Sequence, residues 1–393
     1  MTEQPAPVFD AFVAHQWPRS KSLAPYLSPG WRELLVDRPA DARQETEGLR
    51  YGTVRMLTMY SDPMGKEGKA SWDERPAGST YESLEGDVLA RGVRSRVVIG
   101  YEEGLMGTAF PNYFVSRAVA SAANDWTVEE WLNRDDRLYG LVLTAPSLPE
   151  DAAAEIRRVG GHPRMVGVEF GSSFSGNALG HPMYHSIYEA AEELGLPLVL
   201  NVAAEGSAAV ITPPVAGGVP MTYSEYRILS MQPMMTHVAS MLVQGIFELF
   251  PNLNVILTGG GITWLPGLLW RLDANYKQDQ AAAPWLKLLP SEYFAKHVFL
   301  TTYGLEKVPS PEALERFLAV SPGLSKRLLY ASGWPAAERE EPDVMLARLP
   351  AEVRDDVAYR NAQGVYRWPD RERPPWIEPS LHRSALGLAQ TGS

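Results

Sequence analysis

Short apolar runs recur along this chain and alternate with longer segments whose apolar positions follow helical spacing. The run Asn254–Thr258 (NVILT) has no polar alternation, which is typical of a strand covered on both faces in a parallel sheet. Just before it, in Met241–Phe250, the residues Leu242, Ile246 and Leu249 recur at spacings of four and three, which predicts a helix with one apolar face. A helix followed directly by a buried strand is the repeating unit of an α/β fold.

Eight segments of the chain predict strands of this kind, with helical patterns between them. They are Val8–Val13, Arg96–Gly100, Leu138–Thr144, Met165–Phe170, Pro197–Val202, Asn254–Thr258, His297–Thr302 and Arg327–Ser332. Regular alternation of strands and helices indicates parallel βαβ units, and eight such units predict a single closed (β/α)8 TIM-type barrel of the α/β class.

Three segments do not follow the alternation. Pro18–Arg91 is polar and predicts a long insertion after strand 1, and Ala203–Pro233 is rich in proline and glycine and predicts a lid-like insertion after strand 5. Residues 1–335 then form the barrel, and residues 336–393 form a carboxyl-terminal extension. Trp368 and Trp376 in this extension favour packing on the barrel or on a partner subunit, although a solvated terminus also fits.

The composition excludes several classes of function. The 393 residues are 45% hydrophobic, carry a net charge of −11 and include no cysteine. The acidic balance argues against nucleic acid or an anionic membrane as partner, and the lack of cysteine excludes disulfides and thiolate metal sites. No apolar run approaches the ~20 residues that span a bilayer, and the amino terminus does not resemble a secretion signal, so we expect a cytoplasmic protein.

Three stretches make the chain recognisable. They are GIFELFPNLNVILT with the following GGITWLP and LLWRLDANY, then HPMYHSIYEAAEELGLPLVL (His181–Leu200), and LLYASGWP (Leu328–Pro335). These stretches resemble the amidohydrolase-related family, the branch of the amidohydrolase superfamily that includes aminocarboxymuconate semialdehyde decarboxylase. The resemblance runs from about Val8 to about Pro335. It implies a (β/α)8 barrel with a metal site at the carboxyl ends of its strands, and a homo-oligomer.

The ligand positions that the resemblance implies are not filled by ligands in this chain. The Asp/His-x-His pair of strand 1 is replaced by inward-facing Phe12 and Ala14, and the histidine that ends strand 5 is replaced by Asn201. Strand 6 ends in Gly259 instead of Glu or His, and the aspartate that ends strand 8 is replaced by Gly333. The resemblance therefore implies the fold, but the residues that would bind the usual metal are missing from the sequence. We expect no metal and no cofactor.

What remains at the strand ends is a set of acids, neutral polar groups and aromatic rings. We predict catalytic roles for Glu169, Asn201, His237 and Tyr303, and substrate-binding roles for Phe12, Gln16, Glu102, Gly260 and Trp334. Glu169 is the first candidate, because a carboxyl in an apolar strand has a raised pKa and can act as a general acid or base. Alternatively, Glu169 is a structural partner of Arg164 or Arg271.

Three functional readings stay open. The first is a metal-independent enzyme that performs a hydrolysis, lyase or cyclisation step on a small or medium, fairly apolar molecule of a specialised biosynthetic or catabolic pathway. The second is a non-catalytic paralogue that binds a ligand or pairs with a related subunit. The third, weaker reading is a metal-dependent hydrolase or decarboxylase with relocated ligands, namely His15, Glu169 and His237. A small-molecule partner and a homodimer are expected in the first case.

Overall fold

The barrel predicted from the sequence is confirmed. The computed structural model describes residues 7–17, 20–37, 78–90, 96–101, 105, 108, 112–172, 177–202, 225, 228–229, 231–321, 323–336, 339–372, 375–377 and 379. Eight parallel strands form one sheet in chain order. They are β1 Phe9–His15, β2 Arg96–Tyr101, β3 Leu138–Leu143, β4 Met165–Gly171, β5 Leu198–Asn201, β6 Val255–Thr258, β7 Val298–Thr301 and β8 Leu328–Leu329.

Helices separate the strands and cover the outside of the barrel. They are α1 Pro29–Arg32, α2 Tyr81–Leu84, α3 Tyr113–Thr127, α4 Pro149–Val159, α5 His185–Leu194, α6 Gln232–Val243, α7 Ile246–Leu249, α8 Leu265–Gln278, α9 Pro290–His297, α10 Pro311–Ala319, α11 Pro342–Ala347 and α12 Asn361–Val365. Most of the two predicted insertions, including all of residues 38–77 and 203–224, lies outside the described residues. No helix among the residues just named is long and apolar enough to cross a membrane.

Strand β1 closes the barrel against the segment that follows β8. The Ala11 amide donates to the Tyr330 carbonyl at 2.8 Å, and the Ala14 amide donates to the Trp334 carbonyl at 2.7 Å. The register between β1 and β2 shifts between Asp10 and Val13. Because of this irregularity, both Ala11 and Phe12 face the barrel interior, whereas a regular strand would place only one of them there.

The barrel has two apolar cores. One lies between the strands and the surrounding helices, and the other fills the barrel interior, where it includes Phe9 at the start of β1. Residues from the carboxyl-terminal extension belong to the interior core: the Tyr366 hydroxyl donates to the Ala11 carbonyl at 2.8 Å, and Trp368 is 2% exposed. The Arg96 guanidinium stacks 4.6 Å from the Trp368 ring centroid, which fixes the extension beneath β2.

Two details differ from the sequence predictions. The helix predicted over Met241–Phe250 is two helices, α6 and α7, because Gly245 between them has φ +71° and so ends the right-handed turn. In the stretch LLWRLDANY the family resemblance also predicts an ion pair between Arg271 and Asp273, and this pair is absent among the described residues. The Asp273 carboxylate instead accepts hydrogen bonds from the Ser291 amide at 2.9 Å and its hydroxyl at 2.6 Å, which join α8 to α9.

Candidate functional site

Glu169 lies at the carboxyl end of β4 and its carboxyl group faces the barrel interior. Its side chain is fully buried; Oε2 accepts a hydrogen bond from the Tyr101 amide at 2.9 Å and Oε1 accepts one from the Asn201 side-chain amide at 3.3 Å. Neither donor is charged. Burial therefore dominates and raises the pKa of Glu169 to about 8, so the carboxyl is mainly protonated at neutral pH.

The alternative structural role of Glu169, as an ion-pair partner, is not supported. Arg164 donates to the Leu132 carbonyl and pairs with Asp136 at 2.7 Å, and Arg271 is exposed on α8. An uncompensated carboxyl inside a barrel is costly to bury, so its presence there favours a chemical role.

The close packing of Glu169 against Phe12 depends on the absence of a side chain at Gly100. A Cβ at this position would lie 2.5 Å from Glu169 Oε2 and 2.5 Å from Phe12 Cε2. Real Cβ atoms do not approach other heavy atoms this closely. Gly100 on β2 thus allows the Phe12 ring and the Glu169 carboxyl to meet inside the barrel.

Aromatic rings fill the volume at two positions where the family resemblance places metal ligands. Phe12 of β1 stacks with Tyr303, which follows β7; their ring centroids are 6.3 Å apart and their planes differ by 12°. The Tyr303 ring also covers Gly333, so a Cβ at Gly333 would overlap with ring carbons. Gly333 has φ +70°, a conformation that favours glycine. The aspartate expected at this position has no room.

Two threonines that the sequence predictions missed continue the polar lining. The Thr301 hydroxyl of β7 donates to the Thr258 hydroxyl of β6 at 2.9 Å, and Asn201 of β5 is the register partner of Thr258. Both threonines are buried. Strand alternation was the signal that could have found them, because Ile256 and Phe299, two residues earlier, face the interior. Glu169, Asn201, Thr258 and Thr301 form a polar arc across β4 to β7.

His15 faces the opposite side of the barrel wall. Its Nδ1 is hydrogen-bonded to the Gly100 carbonyl, and its Nε2 lies 2.8 Å from the Thr127 hydroxyl of α3. The ring is fully buried against Trp126 and Trp131, at centroid distances of 5.1 and 5.2 Å, and burial lowers its pKa to about 3. His15 is therefore a packing histidine between strand and helix.

His237 of α6 also lies outside the barrel wall. Its Nδ1 accepts from the Leu179 amide at 3.2 Å, and its Nε2 donates to the Ser172 carbonyl at 2.8 Å. The ring borders a cavity of about 10 Å³ together with outward-facing strand residues such as Leu200 and Leu257. Burial lowers its pKa to about 4. The structure does not bring His237 to Glu169, because the wall of β5 separates them.

Other predicted site residues have structural contacts. Trp334 belongs to the outer core, and its indole N–H donates to Asp87 at 3.1 Å. Gly260 packs under Met234, and its carbonyl accepts from the Trp264 indole at 2.9 Å. The backbone amide of Gln16 donates to the Gly78 carbonyl at 3.1 Å.

The acids at the strand ends have separate outcomes. Glu102 lies outside the described residues, as do Glu103 and Glu205. Glu306 accepts from the Ile262 amide at 2.9 Å and from the Thr263 hydroxyl at 2.6 Å, just before α8. Glu306 therefore fixes the loop after β6 and does not join the polar arc.

Comparison with known proteins identifies the family. A model described as amidohydrolase matches residues 73–368, more than half of the chain. The chain belongs to the amidohydrolase family. Among curated relatives, this amidohydrolase is 26% identical over 234 residues to gamma-resorcylate decarboxylase from Rhodococcus jostii, a match that covers 55% of the chain and 66% of the relative. The resemblance inferred from the sequence is thus confirmed.

Solved structures of decarboxylases share the fold of this amidohydrolase. The 5-carboxyvanillate decarboxylase from Sphingomonas paucimobilis is 22% identical with a TM-score of 0.61, covering 92% of this chain and 99% of that one. The enzyme from Novosphingobium aromaticivorans, solved with manganese and 4-hydroxy-3-methoxy-5-nitrobenzoic acid, is 18% identical with a TM-score of 0.66, covering 92% and 96%. At identities of 22% and 18%, the likeness shows a shared fold and nothing further.

The donor set of this amidohydrolase does not fit manganese within the described residues. Manganese prefers several oxygen and nitrogen donors, carboxylates above all. Glu169 offers one carboxyl and Asn201 one amide, while Phe12, Gly259 and Gly333 offer no side-chain donor. In the described parts of the chain, no three His, Asp or Glu side chains converge as a metal site would require.

Proposed function

We propose that this amidohydrolase-fold protein is a metal-independent lyase whose acid/base residue is Glu169. The observation that carries the proposal is a fully buried carboxyl at the carboxyl end of a barrel strand, held by two neutral donors and by no cation from the part of the chain that the structure describes. Active sites of such barrels lie at this end. A carboxyl whose pKa is near 8 is close to the value at which a general acid works best at neutral pH.

A lyase step needs one proton to be delivered and one to be recovered. In an elimination, the Glu169 carboxyl gives its proton to the departing oxygen, the carbon–oxygen bond breaks, and the group leaves as water or an alcohol. The resulting carboxylate then takes the proton from the neighbouring carbon as the double bond forms. The group is restored after each turnover and no oxidant or reductant is consumed. The Tyr101 amide and the Asn201 amide hold the carboxyl in place throughout.

The relatives support the lyase class and suggest an aromatic substrate. Those reported above are named as decarboxylases of gamma-resorcylate and 5-carboxyvanillate. In this chain, the Phe12 and Tyr303 rings provide an apolar wall beside Glu169, which suits a planar ring. A small aromatic molecule is therefore the substrate class that we propose.

A second candidate, a non-catalytic binding or scaffolding paralogue, is favoured by one observation. The former ligand positions at Phe12 and Gly333 are packed with aromatic rings that contact one another. Such packing stabilises the barrel whether or not chemistry takes place there. Turnover is the measurement that separates the two candidates.

The test begins with purified protein dialysed against EDTA and offered a panel of phenylpropanoids and other arylalkanes that carry a hydroxyl or methoxy group beside a C–H bond, together with hydroxylated and methoxylated benzoic acids as decarboxylation substrates. Products are identified by mass spectrometry. We expect turnover of at least one compound to persist without metal. Glu169→Gln should lower that turnover by roughly 10² to 10⁴-fold. Glu193→Gln is the matched control, because Glu193 lies on the surface of α5 and pairs with Arg157 at 2.8 Å.

Three results contradict the proposal. Turnover that is lost in EDTA and restored by manganese overturns the metal-independent mechanism. Turnover unchanged in Glu169→Gln removes the assigned acid. Binding of panel compounds without conversion of any of them favours the non-catalytic paralogue.

A further inference from the structure

We infer that the substrate presents a neutral hydrogen-bond acceptor, such as a carbonyl or ether oxygen, to Glu169, and that this site selects against a carboxylate. The inference deepens the proposed function and rests on it. It concerns the charge of the molecule that the barrel accepts, and two observations carry it.

The first observation is the chemistry of the polar arc. Its other members, Asn201, Thr258 and Thr301, carry amide and hydroxyl groups that are dipoles without formal charge. The facing part of the interior is apolar, with Phe12 and Ala14 from β1. Of the interior residues that the structure describes, none is a lysine or arginine. A carboxylate bound here would lose its hydration without gaining a cationic partner, which is costly.

The second observation is the hydrogen bonding of Glu169 itself. Both of its oxygens already accept hydrogen bonds, from Tyr101 and Asn201. A protonated carboxyl also has one O–H to donate. With Tyr101 and Asn201 both acting as donors, this proton has no acceptor among the described residues. A substrate oxygen would supply the missing acceptor, and a neutral oxygen does so without bringing a second acid into the site.

The inference separates this chain from the relatives reported above, whose names describe decarboxylases. A neutral substrate agrees with a donor set that does not fit a metal, since a divalent cation is one of the groups that could compensate a buried substrate carboxylate. A neutral substrate also agrees with the elimination step, in which the departing group is an oxygen that receives the Glu169 proton.

The test compares isosteric ligands that differ in charge. Pairs of benzoates and benzamides with the same hydroxyl or methoxy substituents are titrated into EDTA-treated wild-type protein, and binding is followed by tryptophan fluorescence and calorimetry. We expect the amide of at least one pair to bind roughly tenfold or more tightly than its carboxylate at neutral pH, because only the carboxylate is desolvated as a charge. The affinity of the protein for the amide should decrease between pH 7 and pH 9, because Glu169 loses the proton that it donates to the amide.

Variants show whether Glu169 is the donor. Glu169→Gln keeps an N–H donor but has only one oxygen to accept the hydrogen bonds of Tyr101 and Asn201, so it should weaken amide binding and abolish its pH dependence. The surface control Glu193→Gln should retain both. The inference is overturned if carboxylates bind as tightly as their amides, if no amide binds, or if the pH dependence survives in Glu169→Gln.

The outcome is distinguishable from failure of the proposed function. Metal-free, Glu169-dependent turnover of a benzoate would overturn this inference and leave the lyase proposal standing. Tight, pH-dependent amide binding without turnover of any compound would support the charge selection and overturn the lyase proposal.

Discussion

A methyl group added at Gly333 would occupy volume that the Tyr303 ring already fills. This position is where the family resemblance places an acidic metal ligand, so its tolerance for a side chain bears directly on the loss of that site. Two separate costs apply to Gly333→Ala. The backbone has φ +70°, and the new Cβ overlaps with ring carbons of Tyr303.

The two costs can be estimated from different sources. A non-glycine residue in the left-handed region costs about 1–2 kcal/mol. Overpacking by one methyl group in a buried site costs about 1–3 kcal/mol. We therefore expect Gly333→Ala to lower the free energy of unfolding by about 2–5 kcal/mol. An aspartate at Gly333 is larger and would cost at least as much.

Gly195 supplies a control that isolates the backbone cost. It follows α5 with φ +67°, and a Cβ there would have nothing within 4 Å. Gly195→Ala should thus cost only about 1–2 kcal/mol. The gain from a less flexible unfolded chain is the same in both alanine variants and cancels in the comparison. In a Tyr303→Ala background, the cost of Gly333→Ala should fall to the Gly195→Ala value.

Urea unfolding followed by tryptophan fluorescence measures all five proteins, including Tyr303→Ala alone. The coupling between Gly333 and Tyr303 should be about 1–3 kcal/mol, which is the steric cost removed with the ring. The reasoning is refuted if Gly333→Ala and Gly195→Ala are equally destabilised, or if the cost at Gly333 persists without the tyrosine ring.

Two further predictions concern pH and the carboxyl-terminal extension. Because folding raises the pKa of Glu169 from 4.5 to about 8, the folded state holds a proton that the unfolded state releases, so stability is lost as pH rises through this range. Glu169→Gln should reduce the slope of the unfolding free energy against pH by up to about 1.4 kcal/mol per pH unit. The contribution of Asp10 remains in the variant, because burial raises the pKa of Asp10 to about 7. Equal slopes for the wild type and the variant would contradict the assignment. Trp368→Ala should cost about 3–5 kcal/mol in urea unfolding, because the ring is buried beneath Arg96. Trp376 is 52% exposed, so Trp376→Ala should change the free energy of unfolding by less than about 0.5 kcal/mol. Similar losses of stability in Trp368→Ala and Trp376→Ala would show that Trp368 does not anchor the extension.

The strands were predictable because parallel strands buried on both faces need continuous apolar runs. All eight predicted segments overlap a strand, although β8 covers only Leu328–Leu329 of the predicted Arg327–Ser332 and β1 runs two residues past the predicted Val8–Val13. The break in the helix before β6 was less visible, since the apolar spacing continues through Gly245. Its left-handed conformation is tied to the Trp285 ring, which packs where a Cβ would lie. Spacing along the sequence does not report such a contact.

The interior part of the candidate site followed from strand alternation. Phe12 was predicted to face inward and does so, and Asn201 follows the interior residue Val199 by two positions. Glu169 was predicted from its place near the end of an apolar strand. His237 and Trp334 could not be placed in the same way. They lie on a helix and on the segment after β8, where the side-chain direction depends on how these elements pack against the barrel wall.

The sequence by itself determined the barrel and the family, since both depend on residue type at regularly spaced positions. Only the tertiary structure decided what fills the vacated volume and how Glu169 ionises. The Tyr303 ring reaches Gly333 from a different strand, and the Glu169 carboxyl is desolvated by residues from β1, β2 and β5. Packing and desolvation are properties of groups that are distant in sequence and close in space, so the order of residues alone does not reveal them.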